Sequence, residues 1–144
     1  MKINEINVSY RGNNINAPII NDSKSAHASL LESWDNGKIE MQEEFKVLLL
    51  KRNNQVIGVY SLSKGGLHGT VIDFKLLFSV ALKSLASNII LAHNHPSGNL
   101  SPSQNDISST KKAVEIGNLL GIDVLDHIII TRGGYFSLAE NGYI

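Results

Sequence analysis

The stretch ASNIILAHNHPSGNLSPSQND, running from Ala86 to Asp106, decides the fold class. Ile89 to Ala92 is short and wholly apolar, the pattern of a strand in the middle of a sheet with both faces covered. His93 to Leu100 then reads as a polar loop containing Pro96 and Gly98. A helix follows: Ser101 is its expected cap, Pro102 suits the first helical position and Gln104 completes a capping box. The helix runs to about Leu120, with Ile107, Val114 and Leu119–Leu120 as apolar positions, and Gly121 stops it. Asp123 to Thr131 is another buried strand. Strand, helix and strand in this order make a crossover unit, so the fold class is α/β.

Working outward, Glu44 to Leu50 reads as a buried strand, Arg52 to Gln55 as a hairpin turn and Val56 to Ser63 as the return strand. Gly65-Gly66 breaks that strand, and Leu67 to Val71 adds another short one. Asp73 caps a helix whose Phe74, Leu77, Phe78, Ala81, Leu82 and Leu85 share one buried face, with Asn88 as its stop. Nearer the N-terminus, Ile3, Ile6, Val8 and Tyr10 alternate loosely as an edge strand, and Asn13-Asn14 suggests a turn. Ser23 to Trp34 reads as a helix capped by Ser23 or Ser25 and ended by Asp35-Asn36-Gly37. At the other end Gly133-Gly134 turns the chain into a last short strand, Tyr135 to Leu138. Together these elements predict a single-domain mixed β-sheet flanked by helices.

Composition removes several function classes. The 144 residues fit one domain and bury enough surface to fold without a disulfide or structural metal. Cysteine is absent, which excludes a thiolate zinc site, an iron–sulfur cluster and a cysteine nucleophile. The same absence fits a reducing cytoplasm. Lys and Arg total 13 and Asp and Glu total 13, so there is no basic excess of the kind that neutralises nucleic-acid phosphates. The polar, Asn-rich N-terminus lacks the apolar core of a signal peptide, and no run approaches the ~20 apolar residues of a membrane helix.

The chemistry concentrates at the end of the apolar strand. His93 and His95 are two residues apart, so in extended backbone their side chains point the same way. Asp106 follows on the first turn of the next helix. Two imidazoles and one carboxylate are good zinc ligands, and three protein ligands plus water is the pattern of a catalytic site. The competing reading has two loop histidines and an aspartate that merely favours a helix N-terminus. A bare H-x-H does not separate the two, whereas the added S-x-x-D at Ser103–Asp106 favours metal. The tripeptide His-Asn-His does not indicate the nucleases named for those letters, which spread the residues over a longer module.

The spacing H-x-H, seven residues, S-x-x-D resembles the JAMM motif of JAB/MPN-domain metalloproteases. The stretch from Ala86 to Asp106, with LLGIDVLDHIII (residues 119–130) and YFSLAENG (residues 135–142), resembles the RadC-like branch of that superfamily. The likeness covers residues 40–144, and residues 1–39 form an N-terminal extension, a strand plus a helix packing on the core. The helix–hairpin–helix segment of longer RadC proteins, the element most naturally linked to DNA, has no counterpart in this sequence.

The resemblance implies a JAB/MPN fold of cytidine-deaminase-like architecture and one zinc per chain, held by His93, His95 and Asp106. It implies that Ser103 stabilises the oxyanion and that a glutamate upstream of a phenylalanine is the general base. Glu43 takes that place before Phe45, with Glu44 the alternative one register step away. His127 and Asp126, in the family's LDH segment, are candidates to orient the site from behind. Ser97 reads as a loop residue, and His27, His68, Trp34 and the Lys111-Lys112 pair as unrelated to the chemistry. The implied activity is metal-dependent hydrolysis of a peptide, isopeptide or related amide bond. The partner is then a peptide or protein conjugate, with no membrane and no strong direct nucleic-acid binding. The alternative is an accessory module associated with DNA repair, the family's traditional label.

Overall fold

A computed structural model describes residues 1–12, 15–65 and 71–144. In chain order its elements are α1 (Ser23–Leu31), β1 (Glu44–Leu50), β2 (Val56–Lys64), α2 (Phe74–Lys83), β3 (Asn88–Asn94), α3 (Gln104–Leu120), β4 (Asp123–Thr131) and β5 (Gly134–Ser137). The five strands form one sheet in the order β2-β1-β3-β4-β5. The central pair β3–β4 is parallel, joined by α3, and every other neighbour is antiparallel. The expected α/β mixed sheet flanked by helices is thus the observed fold.

Each face of the sheet carries its own core. On one side Phe45, Val47, Leu49, Ile89 and Leu91 pack under Leu77, Phe78 and Ala81 of α2 and Ala113 of α3. On the other side Leu48, Leu50, Ile90, Ala92, Ile128 and Ile130 pack against Ala26 and Leu30 of α1, with Trp34 and Ile39. Strand β1 is buried along its whole length because it lies between two partners and under both layers. The alternation of β1 and β3 sends Phe45 and His93 to the α2/α3 side, and Lys46 and Ala92 to the α1 side.

The N-terminal residues 1–12 form no strand, and Ile3, Ile6 and Val8 are exposed. An isolated bridge pairs Ile19 with Gln55, and Ile20 donates to the Asn54 carbonyl at 2.9 Å. Helix α1 is capped by Asp22, whose carboxylate accepts from Ser25 N at 2.7 Å, and not by Ser23 or Ser25. It stops at Leu31, short of Trp34. Helix α2 ends at Lys83, and Leu85, expected on its buried face, is 79% exposed with a positive φ of 55°. Asn88 opens β3 and does not close the helix. The expected turn at Asn13-Asn14, most of the strand over Leu67–Val71, and His68 lie outside the described residues.

Two corrections concern the site directly. Strand β3 runs on through His93 and Asn94, which are strand residues and not loop. The ladder even reaches His95, whose N–H donates to the Ile130 carbonyl at 2.9 Å. Helix α3 starts two residues later than the sequence suggests. Its cap is Ser103, because the Asn99 side chain already takes the Ser101 N–H at 2.9 Å in a local turn. The buried positions of α3 are Thr110, Ala113 and Gly117, and Leu119 is exposed. Small residues belong there because the helix lies close to the β4 entry: a Cβ on Gly117 would stand 2.3 Å from the Ile122 carbonyl oxygen.

Candidate metal centre

Three elements meet at the C-terminal end of β3. The strand supplies His93, the turn after it supplies His95, and the first turn of α3 supplies Asp106. His93 Nε2 lies 2.9 Å from His95 Nε2 and 3.3 Å from Asp106 Oδ1, and His95 Nε2 lies 3.5 Å from Asp106 Oδ2. One donor atom from each residue falls within 4.8 Å of the others, so the group could hold a metal ion. His93 is buried, and His95 and Asp106 are part-exposed, so the cluster has a wall on the core side and an opening to solvent.

The S-x-x-D half of the motif is a helix cap in physical terms. Ser103 Oγ accepts from the Asp106 N–H at 3.0 Å, and Asp106 Oδ2 accepts from the Ser103 N–H at 2.8 Å. That reciprocal box fixes the carboxylate at the positive end of α3. Since Ser103 Oγ accepts in this bond, its own proton is available to point outward. His95 is fixed from the other side: its Nδ1–H donates to the Asn99 carbonyl at 2.6 Å, which turns Nε2 towards the cluster. A carbonyl only accepts, so the direction of this bond is not ambiguous.

The charges agree with the geometry. Burial works against ionisation of Asp106, yet the two imidazoles beside it hold its carboxyl far below the usual carboxylate range. The hydrogen bond to Asp106 makes His95 hold a proton more tightly than a free imidazole, against the effect of burial.

Strand alternation separates the two glutamates. Glu43 falls on the same side as Phe45, whose Cα partner is His93, and its Oε1 stands 4.0 Å from His93 Nε2. Glu44 points to the opposite side, where it pairs with Lys46 Nζ at 3.7 Å. The LDH residues separate in the same way. A register shift in β4 pairs Ile89 with Val124 but Ile90 with Asp126, so Leu125 is extra. The bulge puts His127 on the site face, with Nε2 at 2.7 Å from His93 Nδ1. Asp126 instead faces the α1 side, where it accepts from Ser137 Oγ at 2.6 Å and from the Ala139 N–H at 3.0 Å. Asp126 therefore has a structural place and does not join the cluster.

A family model described as the RadC-like JAB domain matches residues 20–143. The chain belongs to this family. It is 48% identical over 100 residues to a UPF0758 protein of Flavobacterium johnsoniae, covering 69% of this chain and 44% of that relative. A UPF0758 protein of Caldanaerobacter subterraneus is 46% identical over 102 residues, covering 71% and 44%. One from Methanosarcina barkeri is 44% identical over 105 residues, covering 73% and 46%. The matched region thus spans less than half the length of these relatives.

In this RadC-like JAB domain two residues near the cluster escape sequence reasoning. Asn94, fully buried between the two histidines, faces the other way. Its Nδ2 donates to the Ile39 and Gln42 carbonyls at 2.8 and 2.9 Å, and its Oδ1 accepts from the Glu44 N–H at 2.7 Å. It thereby grips the chain on either side of Glu43. Thr110, one turn after Asp106, is fully buried with its hydroxyl at 2.6 Å from His127 Nδ1. The signal for Thr110 was its i+4 spacing from Asp106; for Asn94 no sequence signal existed beyond its place in the tripeptide. Among the described residues no helix is long and apolar enough to cross a membrane.

Proposed function

We propose that this RadC-like JAB domain is a zinc-dependent hydrolase of amide bonds, acting on a peptide or an isopeptide-linked conjugate. The observation that carries the reading is the closed set of three donors with a carboxylate, Glu43, 4.0 Å from one of them. The donor set fits zinc. Bonds of about 2.0–2.1 Å in a tetrahedron separate donors by about 3.3 Å. The pairs here stand 2.9, 3.3 and 3.5 Å apart. Two imidazoles, one carboxylate and no thiolate, with one side open, match catalytic and not structural zinc.

When bound, zinc supplies polarisation of the scissile carbonyl and acidification of water. Glu43 accepts the proton that the attacking water loses and passes it to the departing amine nitrogen. Ser103 donates its free hydroxyl proton to the oxygen that gains charge, at the N-terminus of α3 where the helix dipole acts in the same sense. Beside His95 lies a groove of about 350 Å³ lined by Glu40, Pro96, Ser97, Thr131 and Arg132. The test is a panel of peptides and isopeptide-linked conjugates incubated with zinc-loaded protein. Cleavage that a chelator abolishes and zinc restores is expected; uniform inertness of the zinc-loaded protein across the panel contradicts the reading.

Zinc binding should also depend on pH with a defined sign. In the metal-free protein Asp106 raises the affinity of His95 for a proton above that of a free imidazole, whose pKa is about 6.5. Zinc must displace that proton. Affinity is therefore flat above the raised value and falls about tenfold per pH unit below it. Asp106 stays ionised throughout this range and adds no slope. Competition titrations across about pH 5.5 to 8 check this; an affinity that does not fall at the acid end contradicts it.

A further inference from the structure

The metal reading leaves unexplained a buried chain of polar groups behind His93. We propose that Thr110 and His127 are positioning residues that fix the tautomer of His93, so that its Nε2 faces the cluster as a bare lone pair. This rests on the metal-site reading above and adds to it two residues that touch neither metal nor substrate.

The direction of each bond follows from one group that can only accept. Thr110 Oγ1 lies 2.6 Å from the Asp106 backbone carbonyl, so the hydroxyl proton points there. Only lone pairs of Oγ1 then face His127 Nδ1 at 2.6 Å, so that nitrogen carries the hydrogen. His127 is 1% exposed, and its two ring nitrogens face a hydroxyl and another imidazole, so no carboxylate balances a second proton and the buried ring is neutral. A neutral ring has one N–H, so His127 Nε2 accepts. Its neighbour at 2.7 Å, His93 Nδ1, must therefore donate. With its hydrogen on Nδ1, a neutral His93 ring has its lone pair on Nε2, the nitrogen nearest His95 and Asp106.

Packing holds the ring plane as well. Phe45 stacks on His93 with centroids 5.8 Å apart and planes 6° apart, and meets His127 edge-on at 5.4 Å. The chain also closes on itself. The hydroxyl that starts it anchors on the backbone of Asp106, the third donor residue, so one side chain of α3 ties the helix to β4 and, through it, to β3. The bulge at Leu125 is what brings His127 to this face.

The experiment records long-range nitrogen–proton NMR spectra of the histidine rings in the full chain before zinc is added, then measures zinc affinity by competition. In the wild type His127 and His93 are expected in the Nδ1–H form. Thr110→Val keeps the shape but removes the acceptor. It should lose that pattern and weaken zinc binding by about 10- to 100-fold. Thr110→Ser restores both. An Nε2–H form of His93 in the wild type overturns the inference, and so does a Thr110→Val protein that binds zinc as tightly as wild type. Should Thr110→Val fail to fold, the wild-type spectrum and Thr110→Ser decide. A wild type with the expected tautomers but no zinc affinity would instead refute the metal reading, leaving the hydrogen-bond chain intact.

Discussion

Glu43→Gln is expected to leave zinc binding unchanged and to lower turnover by about two to four orders of magnitude. Gln has the same length and can fill the same space, but it cannot accept a proton from water at neutral pH. The three donors of the cluster are His93, His95 and Asp106, so their affinity for metal should survive the change. Glu44→Gln is the matched control. Its carboxylate lies on the opposite side of β1 beside Lys46, so turnover should stay within a few-fold of wild type. Steady-state rates on whichever conjugate the panel identifies, with metal content measured on the same samples, check both. Equal losses in the two variants, or none in Glu43→Gln, would remove Glu43 from the mechanism.

Asn94→Ala should be the most destabilising single change near the site. Asn94 is fully buried and makes three hydrogen bonds of 2.7 to 2.9 Å to backbone groups of the segment that carries Glu43. Each bond contributes about 1 kcal/mol net, and a backbone group left buried without a partner costs about 1–3 kcal/mol. Losing all three at once removes about 3 kcal/mol or more, a fall in Tm of roughly 10 °C for a domain of this size. The same change frees the chain at Gln42 and Glu44, so activity should drop more than zinc affinity. Thermal unfolding of wild type and variant is the check; a Tm within a degree or two of wild type would show that Asn94 is not a clamp.

The core of the fold was legible because its signals are local. Glu44–Leu50 is apolar enough to be a central strand, Asp73 caps α2, and Gly121 closes α3 with a φ of 71° that favours glycine. The N-terminal alternation of Ile6, Val8 and Tyr10 is also local, but a strand needs a partner edge, and among the described residues the bridge to the sheet comes later, at Ile19–Gln55. Ser101 and Ser103 carry the same cap chemistry on either side of Pro102, so the sequence alone points two residues ahead of the true α3 cap, Ser103. What separates them is that Asn99 has already used the Ser101 N–H.

The site divides along the same line. Its donors were legible because H-x-H and S-x-x-D work through short-range geometry, two residues along a strand and three along a helix start. Its supports were not. Asn94 reaches Ile39 and Gln42, more than 50 positions away, and Thr110 meets His127 only because α3 folds back over β4. Asp126 and His127 looked alike in the sequence, and a single extra residue in β4 sent one to the site and the other to the opposite face.

The most direct measurement is a zinc titration of metal-stripped protein by calorimetry, run in parallel on His95→Ala. One tight site per wild-type chain is expected, and its loss in the variant, with the fold retained because His95 lies after the last residue of β3 and is part-exposed. A wild-type chain that takes up no stoichiometric zinc, or a His95→Ala chain that binds it equally well, would rule out a metal centre at His93, His95 and Asp106.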